Sequence, residues 1–189
     1  AKTHAGSVHE PGRFPPACRY TAGMTRSTPA ADIAANLARV NESIRTTVQR
    51  AGRRPGDVRL IAVSKTQPPE AIAAAVAAGQ RRFGENTVQD AMTKIPRFAA
   101  EQLEWHFIGH LQSNKARFIP GNFSWLHSLD SLRLAERVAQ AAEERRTVVN
   151  ALIEVNITRD PARHGIAPPD RAAGPVNVAW VHVESEGRR

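Results

Sequence analysis

The stretch VRLIAVSKTQPPEAIAAAVAAG, residues 58–79, decides the fold of this chain. Its first part, VRLIAVS, is a short and almost unbroken apolar run, as expected for a strand buried on both faces of a parallel sheet. Pro68 and Pro69 then open a helix that carries Ile72 and Val76 and stops at Gly79. The stretch therefore predicts one strand followed by one helix.

The same strand-then-helix pattern recurs toward the C terminus. Further strands are predicted in RRFGEN, EWHFIGH, SWLHSLD and VNALIEVNI. The helices between them are predicted over residues 88–95, which Pro96 closes, over LQSNKARFI, and over residues 131–145, with Asp130 as N-cap. Strands starting roughly 20 to 27 residues apart, each followed by one helix, indicate repeated βα units with parallel strands. Five units fit either an open doubly wound sheet or part of a (β/α)8 barrel, and periodicity alone does not separate the two.

Before residue 58 the chain predicts one amphipathic helix and a tail. The apolar stripe of the helix recurs at steps of three and four residues, and Gly52 and Pro55 end it; its members are Ile33, Leu37, Val40, Ile44 and Val48. Residues 1–30 are rich in Pro, Gly, Ser and Thr without apolar period, so we interpret them as a disordered or non-native tail, in which the residues before Met24 are upstream sequence translated ahead of a natural start. The domain is expected over residues 31–175, with a divergent tail over 176–189 that contains one alternating strand, VNVAWVHVE.

The composition is typical of a globular domain and argues against membrane-spanning and nucleic-acid-binding proteins. With 189 residues, 41% hydrophobic and 23% charged, the chain is long enough for one domain with a hydrophobic core. There is no run of about 18 apolar residues, which argues against a membrane-spanning helix. The single cysteine, Cys18, fits a reducing, cytoplasmic compartment. The net charge of +8 comes from scattered arginines with no interleaved aromatic residues, so nucleic-acid binding is kept only as a remote alternative.

Two residues are candidates for chemistry because each directly follows a predicted strand. Lys65 lies at the carboxyl end of the strand in residues 58–64, where parallel α/β folds place their sites. Partial desolvation there would lower the pKa of its amine and suit Schiff-base formation; the alternative is a solvated lysine. Asn86 follows the next strand and could face the same rim, although on local evidence a helix N-cap is favoured for it. We interpret Glu85 as a solvated acidic residue in a loop.

A metal site is not expected from the sequence. His106 and His110 are spaced as HxxxH, but the segment is a predicted strand and no HExxH motif is present. No dinucleotide, phosphate-loop or nucleophile-elbow motif occurs either. Several common enzyme classes are thereby excluded.

Taken together, five segments resemble the pyridoxal-phosphate homeostasis proteins, relatives of the N-terminal barrel of alanine racemase. The segments are LIAVSKTQP (60–68), RRFGENTVQD (81–90), LEWHFIGHLQSNK (103–115), LHSLDS (126–131) and LIEVNI (152–157). The resemblance covers residues 33–157 well and continues weakly through ARHGIAPP, where the family usually has Lys before the Gly-containing turn and this chain has Arg163 and His164.

The resemblance implies a (β/α)8-type barrel that holds pyridoxal 5′-phosphate. It implies that Lys65 carries the cofactor as a Schiff base, that Asn86 lies close to it, and that no residue is catalytic. Such proteins are thought to buffer the cofactor and deliver it to acceptor enzymes, without turnover of their own. An amino-acid racemase-like enzyme is the alternative, but racemases of this type add a β-domain with a second base, and no such segment is found here.

The chain departs from the family pattern after about residue 175. The resemblance therefore implies a partial barrel of about the first five to six βα units. In this barrel class the phosphate usually sits in loops after the seventh and eighth strands. A chain lacking those strands would bind the cofactor poorly, and its cofactor function would be impaired.

Overall fold

The computed structural model describes residues 30–167 and the backbone of residues 180–183. Predictions for residues 1–29, 168–179 and 184–189, including most of both expected tails, lie outside the described residues. Within the described part, no helix has the length and apolar character needed to cross a membrane.

Helices and strands alternate along the chain, as the sequence predicts. The helices are α1 (Ala30–Arg50), α2 (Pro69–Ala77), α3 (Val88–Lys94) and α4 (Leu132–Glu144). The strands are β1 (Ala62–Val63), β2 (Arg82–Glu85), β3 (Glu104–Phe107), β4 (Trp125–Leu129), β5 (Val149–Ile153) and β6 (Trp180–Val183). Two short 3-10 segments, Ile95–Glu101 and Ser113–Phe118, complete the elements.

The strand order selects between the two architectures that periodicity left open. The six strands follow one another in sheet order β1-β2-β3-β4-β5-β6, and β1 to β5 are all parallel. A doubly wound sheet reverses its strand order at a switch point, whereas a barrel adds each strand beside the last. The fold is therefore a partial (β/α) barrel of five parallel units. The strand predicted from alternation is β6, and it runs antiparallel to β5.

One face of the sheet packs against the helices and forms the core. Strand residues Phe83, Phe107 and Leu126 are almost fully buried and join Ile72 of α2 and Leu134 of α4 in one cluster. Alternate strand positions project to the other face. There they line a cavity of about 480 Å³, whose walls include Arg82, Glu104, His106, Trp125, His127 and Leu152.

Strand β1 is shorter and more exposed than predicted. Only Ala62–Val63 form the strand, and Val58 and Val63 are 42% and 50% exposed. The prediction of a strand buried on both faces is wrong because β1 ends the sheet order and pairs only with β2 among the described residues. Val40 of α1, expected on the buried stripe, is exposed, and of that stripe only Val48 is buried.

Two helix predictions also differ in detail. The segment LQSNKARFI forms a 3-10 helix over Ser113–Phe118 instead of an α-helix. The N-cap of α4 is Ser131, whose hydroxyl accepts a hydrogen bond from Leu134 N at 3.3 Å. The prediction of Asp130 as the cap is wrong by one residue, since the Asp130 carboxylate is instead oriented toward its own neighbours, Ser131 and His110.

Candidate functional site

Lys65 and Asn86 lie at the carboxyl ends of two adjacent parallel strands. β1 and β2 pair with Ala62 opposite Phe83 and Val63 opposite Gly84, and Ser64 N donates to Gly84 O at 2.9 Å. Lys65 follows the end of β1 by two residues and Asn86 follows β2 directly, so both lie at the edge of the sheet where the carboxyl ends of the strands meet. The structure thus places both sequence-predicted residues at one rim. Lys65 is exposed, so the expected desolvation of its amine is wrong.

The backbone on both sides of Lys65 is held by a buried ionic network. Ser64 Oγ donates to Glu85 Oε1 at 2.7 Å, and the Lys94 ammonium donates to Ser64 O at 2.8 Å and to Glu85 Oε1 at 3.0 Å. Lys94 also pairs with Asp90 Oδ2 at 2.7 Å, and that oxygen accepts from Thr66 N at 3.1 Å. We call Ser64, Thr66, Glu85, Asp90 and Lys94 the lysine clamp. It fixes the residues that precede and follow Lys65.

Thr66 shows that the clamp imposes a particular backbone path. Its φ is +60°, a left-handed conformation that a β-branched residue rarely adopts. Such a conformation persists only where the surroundings determine it. Here the Asp90 carboxylate holds the Thr66 N–H, and the turn redirects the chain immediately after Lys65. The strained backbone of Thr66 and the buried charges of the clamp therefore lie directly beside Lys65, which carries the candidate amine.

The pKa values of the two acids in the clamp are shifted in opposite directions. Glu85 is fully buried, and burial raises the pKa of its carboxyl group against the lowering effects of Ser64 and Lys94. For Asp90, burial also acts to raise the pKa, but hydrogen bonds from Lys94 and Thr66 N–H outweigh it and hold the pKa below its ordinary value. The interpretation of Glu85 as a solvated loop acid is wrong. Its side chain points to the helix-covered face and pairs with Lys94 of α3.

Asn86 is free to face the rim because it does not cap α3. The cap is Thr87, whose hydroxyl accepts from Asp90 N at 3.3 Å, so the N-cap interpretation of Asn86 is wrong. Within residues 30–167, no hydrogen bond engages the half-buried Asn86 side chain. A Cβ at Gly109 would fall on the Asn86 carbonyl and lie 2.7 Å from its Cα. Only glycine at position 109 lets the chain after β3 approach Asn86 so closely.

The opposite, cavity-lining face of the sheet carries a histidine pair. His106 Nδ1 lies 3.0 Å from His127 Nε2, and His106 Nε2 lies 3.3 Å from Glu104 Oε1. Burial lowers the pKa of His106 to about 4, with His127 adding to the effect, and burial also lowers the pKa of His127. Both rings are therefore neutral at pH 7. One donates to the other, and neither is placed at the rim with Lys65.

The rim offers an exposed primary amine on a rigid backbone beside an unpaired side-chain amide. An accessible amine can attack an aldehyde carbon, and a carboxamide can donate to and accept from polar groups of a bound molecule. Sequence reasoning missed the clamp. Its one visible signal was Lys94, which shares the buried face of α3 with Val88 and Ala91 at a spacing of three and follows Asp90 by four residues.

Comparison with known proteins identifies the family of the chain. Residues 35–179 match the family model described as alanine racemase, N-terminal domain. The pyridoxal phosphate homeostasis protein of Escherichia coli strain K12 is 46% identical over 138 residues, which cover 71% of this chain and 59% of that protein. The chain thus spans about three fifths of the length of the curated relative.

Solved structures give the same relationship. PipY of Synechococcus elongatus without PLP is similar with a TM-score of 0.61 and 43% identity, over 71% of this chain and 59% of that one. The PLP-bound structure of PipY gives a TM-score of 0.58 and 43% identity, over 68% and 56%. The family match over residues 35–179 shows that the chain belongs to the alanine racemase N-terminal domain family.

Proposed function

We propose that this chain binds pyridoxal 5′-phosphate at the rim formed by Lys65 and Asn86 and takes part in homeostasis of that cofactor. The observation that carries the proposal is the lysine clamp, which holds an exposed amine at the carboxyl end of β1 beside Asn86. The relatives named above are pyridoxal phosphate homeostasis proteins, and a 43% identical structure contains PLP.

The residues present fit an aldehyde ligand. When bound, the cofactor supplies an aldehyde carbon with which a primary amine condenses reversibly, with loss of water. Lys65 would supply that amine, and the unpaired amide of Asn86 would orient the bound molecule. Lys94 is unsuited to this role because its side chain is 3% exposed and its ammonium is held by Glu85, Asp90 and the Ser64 carbonyl.

The proposal is for a carrier and not for a catalyst. Exposure of Lys65 permits exchange of the cofactor with competing amines or with acceptor enzymes, which we propose as partners in a cytoplasmic setting. The described rim presents one amine and one amide but no second general base beside them. The racemase alternative predicts conversion of L-alanine to D-alanine above a no-enzyme control, and the carrier proposal predicts none.

The deciding experiment is a cofactor titration followed by the visible absorption band of the lysine adduct. Borohydride reduction and peptide mass spectrometry then locate the modified residue. We expect Lys65 to be modified and Lys65→Ala to lose the band. The matched control is Lys115→Ala, because Lys115 lies in the 3-10 segment Ser113–Phe118, over the Phe118 ring. A band that survives in Lys65→Ala and disappears in Lys115→Ala would contradict the proposal.

A further inference from the structure

Three potential metal ligands meet at the carboxyl ends of β3, β4 and β5. His110 Nδ1 lies 3.3 Å from Asp130 Oδ2, and the rings of His110 and His164 stack with centroids 3.6 Å apart. One ligand atom from each of the three residues lies within 4.8 Å of the others. We propose that His110, Asp130 and His164 bind a divalent transition-metal ion, a property that goes beyond the proposed cofactor function.

The backbone that carries each ligand is anchored to the sheet. Ser128 Oγ of β4 donates a short hydrogen bond to Gly109 O, directly before His110. The loop with His164 returns to the end of β5, where Ile166 N donates to Glu154 O at 2.8 Å and Ile166 O accepts from Asn156 N at 2.9 Å. These bonds hold the three ligand-bearing segments at fixed separations although they are distant in sequence.

Gly165 explains how His164 comes so close to the sheet. Its φ is +108°, and a Cβ there would lie 2.9 Å from Asn156 N and 3.1 Å from Glu154 O. The chain can therefore turn against the end of β5 only with glycine at this position. The turn directs His164 back over His110, which produces the stacked pair.

Asp130 is oriented for a ligand role by its neighbour. Ser131 Oγ donates to Asp130 Oδ1 at 3.0 Å, which leaves Oδ2 on the side of His110. Hydrogen bonds to the non-ligating oxygen of a carboxylate are a common outer-shell feature of metal sites. The Asp130 side chain is 15% exposed and that of His110 is 40% exposed, so an ion has access from solvent.

The donor set indicates the class of ion. Two imidazole nitrogens and one carboxylate oxygen suit Zn²⁺, Co²⁺, Ni²⁺ or Cu²⁺, whereas Mg²⁺ and Ca²⁺ prefer all-oxygen sites. Imidazole lone pairs lie in the ring plane, so chelation requires the stacked rings to rotate until both nitrogens point at one ion. The rings are exposed and can rotate at low cost. A further coordination position would remain open to water.

The test is calorimetric titration of the full chain with ZnCl2. His4, His9, Cys18 and His182 could ligate Zn²⁺ independently, so the titration uses a background in which these residues are replaced by Asn or Ser. We expect one Zn²⁺ per chain in this background. Replacing a ligand, in His164→Asn or separately in Asp130→Asn, should weaken binding at least about tenfold, since loss of outer-shell partners alone has effects of that size.

The matched control is His127→Asn, because His106 and His127 form the other histidine pair of the described residues. This variant should retain the affinity of the parent. Binding that is abolished in His127→Asn and unchanged in His164→Asn would overturn the assignment by moving the ion to the buried pair. Absence of saturable Zn²⁺ binding, or equal binding of Mg²⁺, would overturn it as well and leave the stacked rings as a packing contact only.

Discussion

Lys94 holds together the segment that presents Lys65, although its own side chain is almost completely buried. The Lys94 side chain is 3% exposed, and its partner Glu85 is fully buried. Removing one member of a buried pair leaves an uncompensated charge, which is far more destabilising than removing both. The clamp therefore makes two separable predictions, one for stability and one for the geometry of the rim.

For stability, Lys94→Met should lower the free energy of unfolding by about 3–5 kcal/mol. The measurement is urea denaturation followed by circular dichroism. Adding Glu85→Gln to Lys94→Met should recover part of the loss, because the buried carboxylate is then gone. Lys115→Met is the control, and an equal loss there would mean that the effect is not specific to the buried pair.

For the rim, Asp90→Asn should weaken cofactor binding while Lys65 itself remains intact. The carboxylate holds both the Lys94 ammonium and the Thr66 N–H, and the amide that replaces it carries no charge to balance Lys94. The measurement is the cofactor titration described above, at a temperature where the variant is folded. Glu70→Gln, in the first turn of α2, is the control and should titrate like the parent.

The His106–His127 pair predicts a pH dependence of stability. Burial lowers the pKa of His106 from 6.5 to about 4, so the unfolded chain takes up a proton between these values and the folded chain does not. Stability is therefore complete above about pH 6.5 and is lost as the pH falls toward 4, with a slope approaching about 1.4 kcal/mol per pH unit. The measurement compares urea midpoints at both ends of this pH range. We expect the slope of stability against pH to be smaller in His106→Gln than in the parent. An unchanged slope in His106→Gln would contradict the assignment.

At the scale of elements, the sequence predicts which helices and strands form better than it predicts the residues at which each begins and ends. Periodicity located the four α-helices because each combines a regular spacing with a Pro, Gly or cap at its end. It placed the cap of α4 on Asp130 instead of Ser131 because both residue types cap helices and only tertiary contacts decide between them. Burial of β1 was overestimated because an apolar run does not reveal whether a strand has one neighbour or two.

The same limit applies to the site. The position of Lys65 and Asn86 at one edge of the sheet could be predicted because each follows a strand, and parallel strands bring such positions to one edge. Glu85 and Lys94 could not, since their contact crosses from a strand to the following helix and depends on which face each side chain occupies. His110, Asp130 and His164 come from three separate loops, and no local pattern indicates that they meet.

Capping of α4 gives a prediction at this scale. Ser131→Ala removes the acceptor for Leu134 N and should lower the free energy of unfolding by about 0.5–2 kcal/mol. Ser131→Asp should restore most of the loss, because a carboxylate also accepts from the first-turn N–H groups. Thermal denaturation without added metal measures both variants. Equal stability of Ser131→Ala and the parent would show that the cap contributes nothing to the fold.

At the scale of the whole molecule, one end of the sheet combines apolar surface with a strand edge that pairs with no other strand among residues 30–167 and 180–183. β1 closes the sheet order, and Val63 is 50% exposed. Beside it, α1 and α2 border an apolar groove lined in part by Ile33, Leu37 and Val63. Strands at such an edge can pair with a second chain, and lysine on an edge strand is a common means of preventing this. The architecture therefore predicts concentration-dependent self-association of this chain.

The variant Val63→Lys tests this prediction because it adds a charge to the edge strand without removing a buried side chain. Sedimentation velocity over a range of concentrations should show association of the parent and a shift toward monomer in Val63→Lys. Leu132→Lys is the matched control, because Leu132 is 74% exposed but lies on α4, away from β1. Equal association of Val63→Lys and the parent would place the contact elsewhere. A shift in Leu132→Lys alone would assign it to α4, since charge at that position acts only on the helical surface.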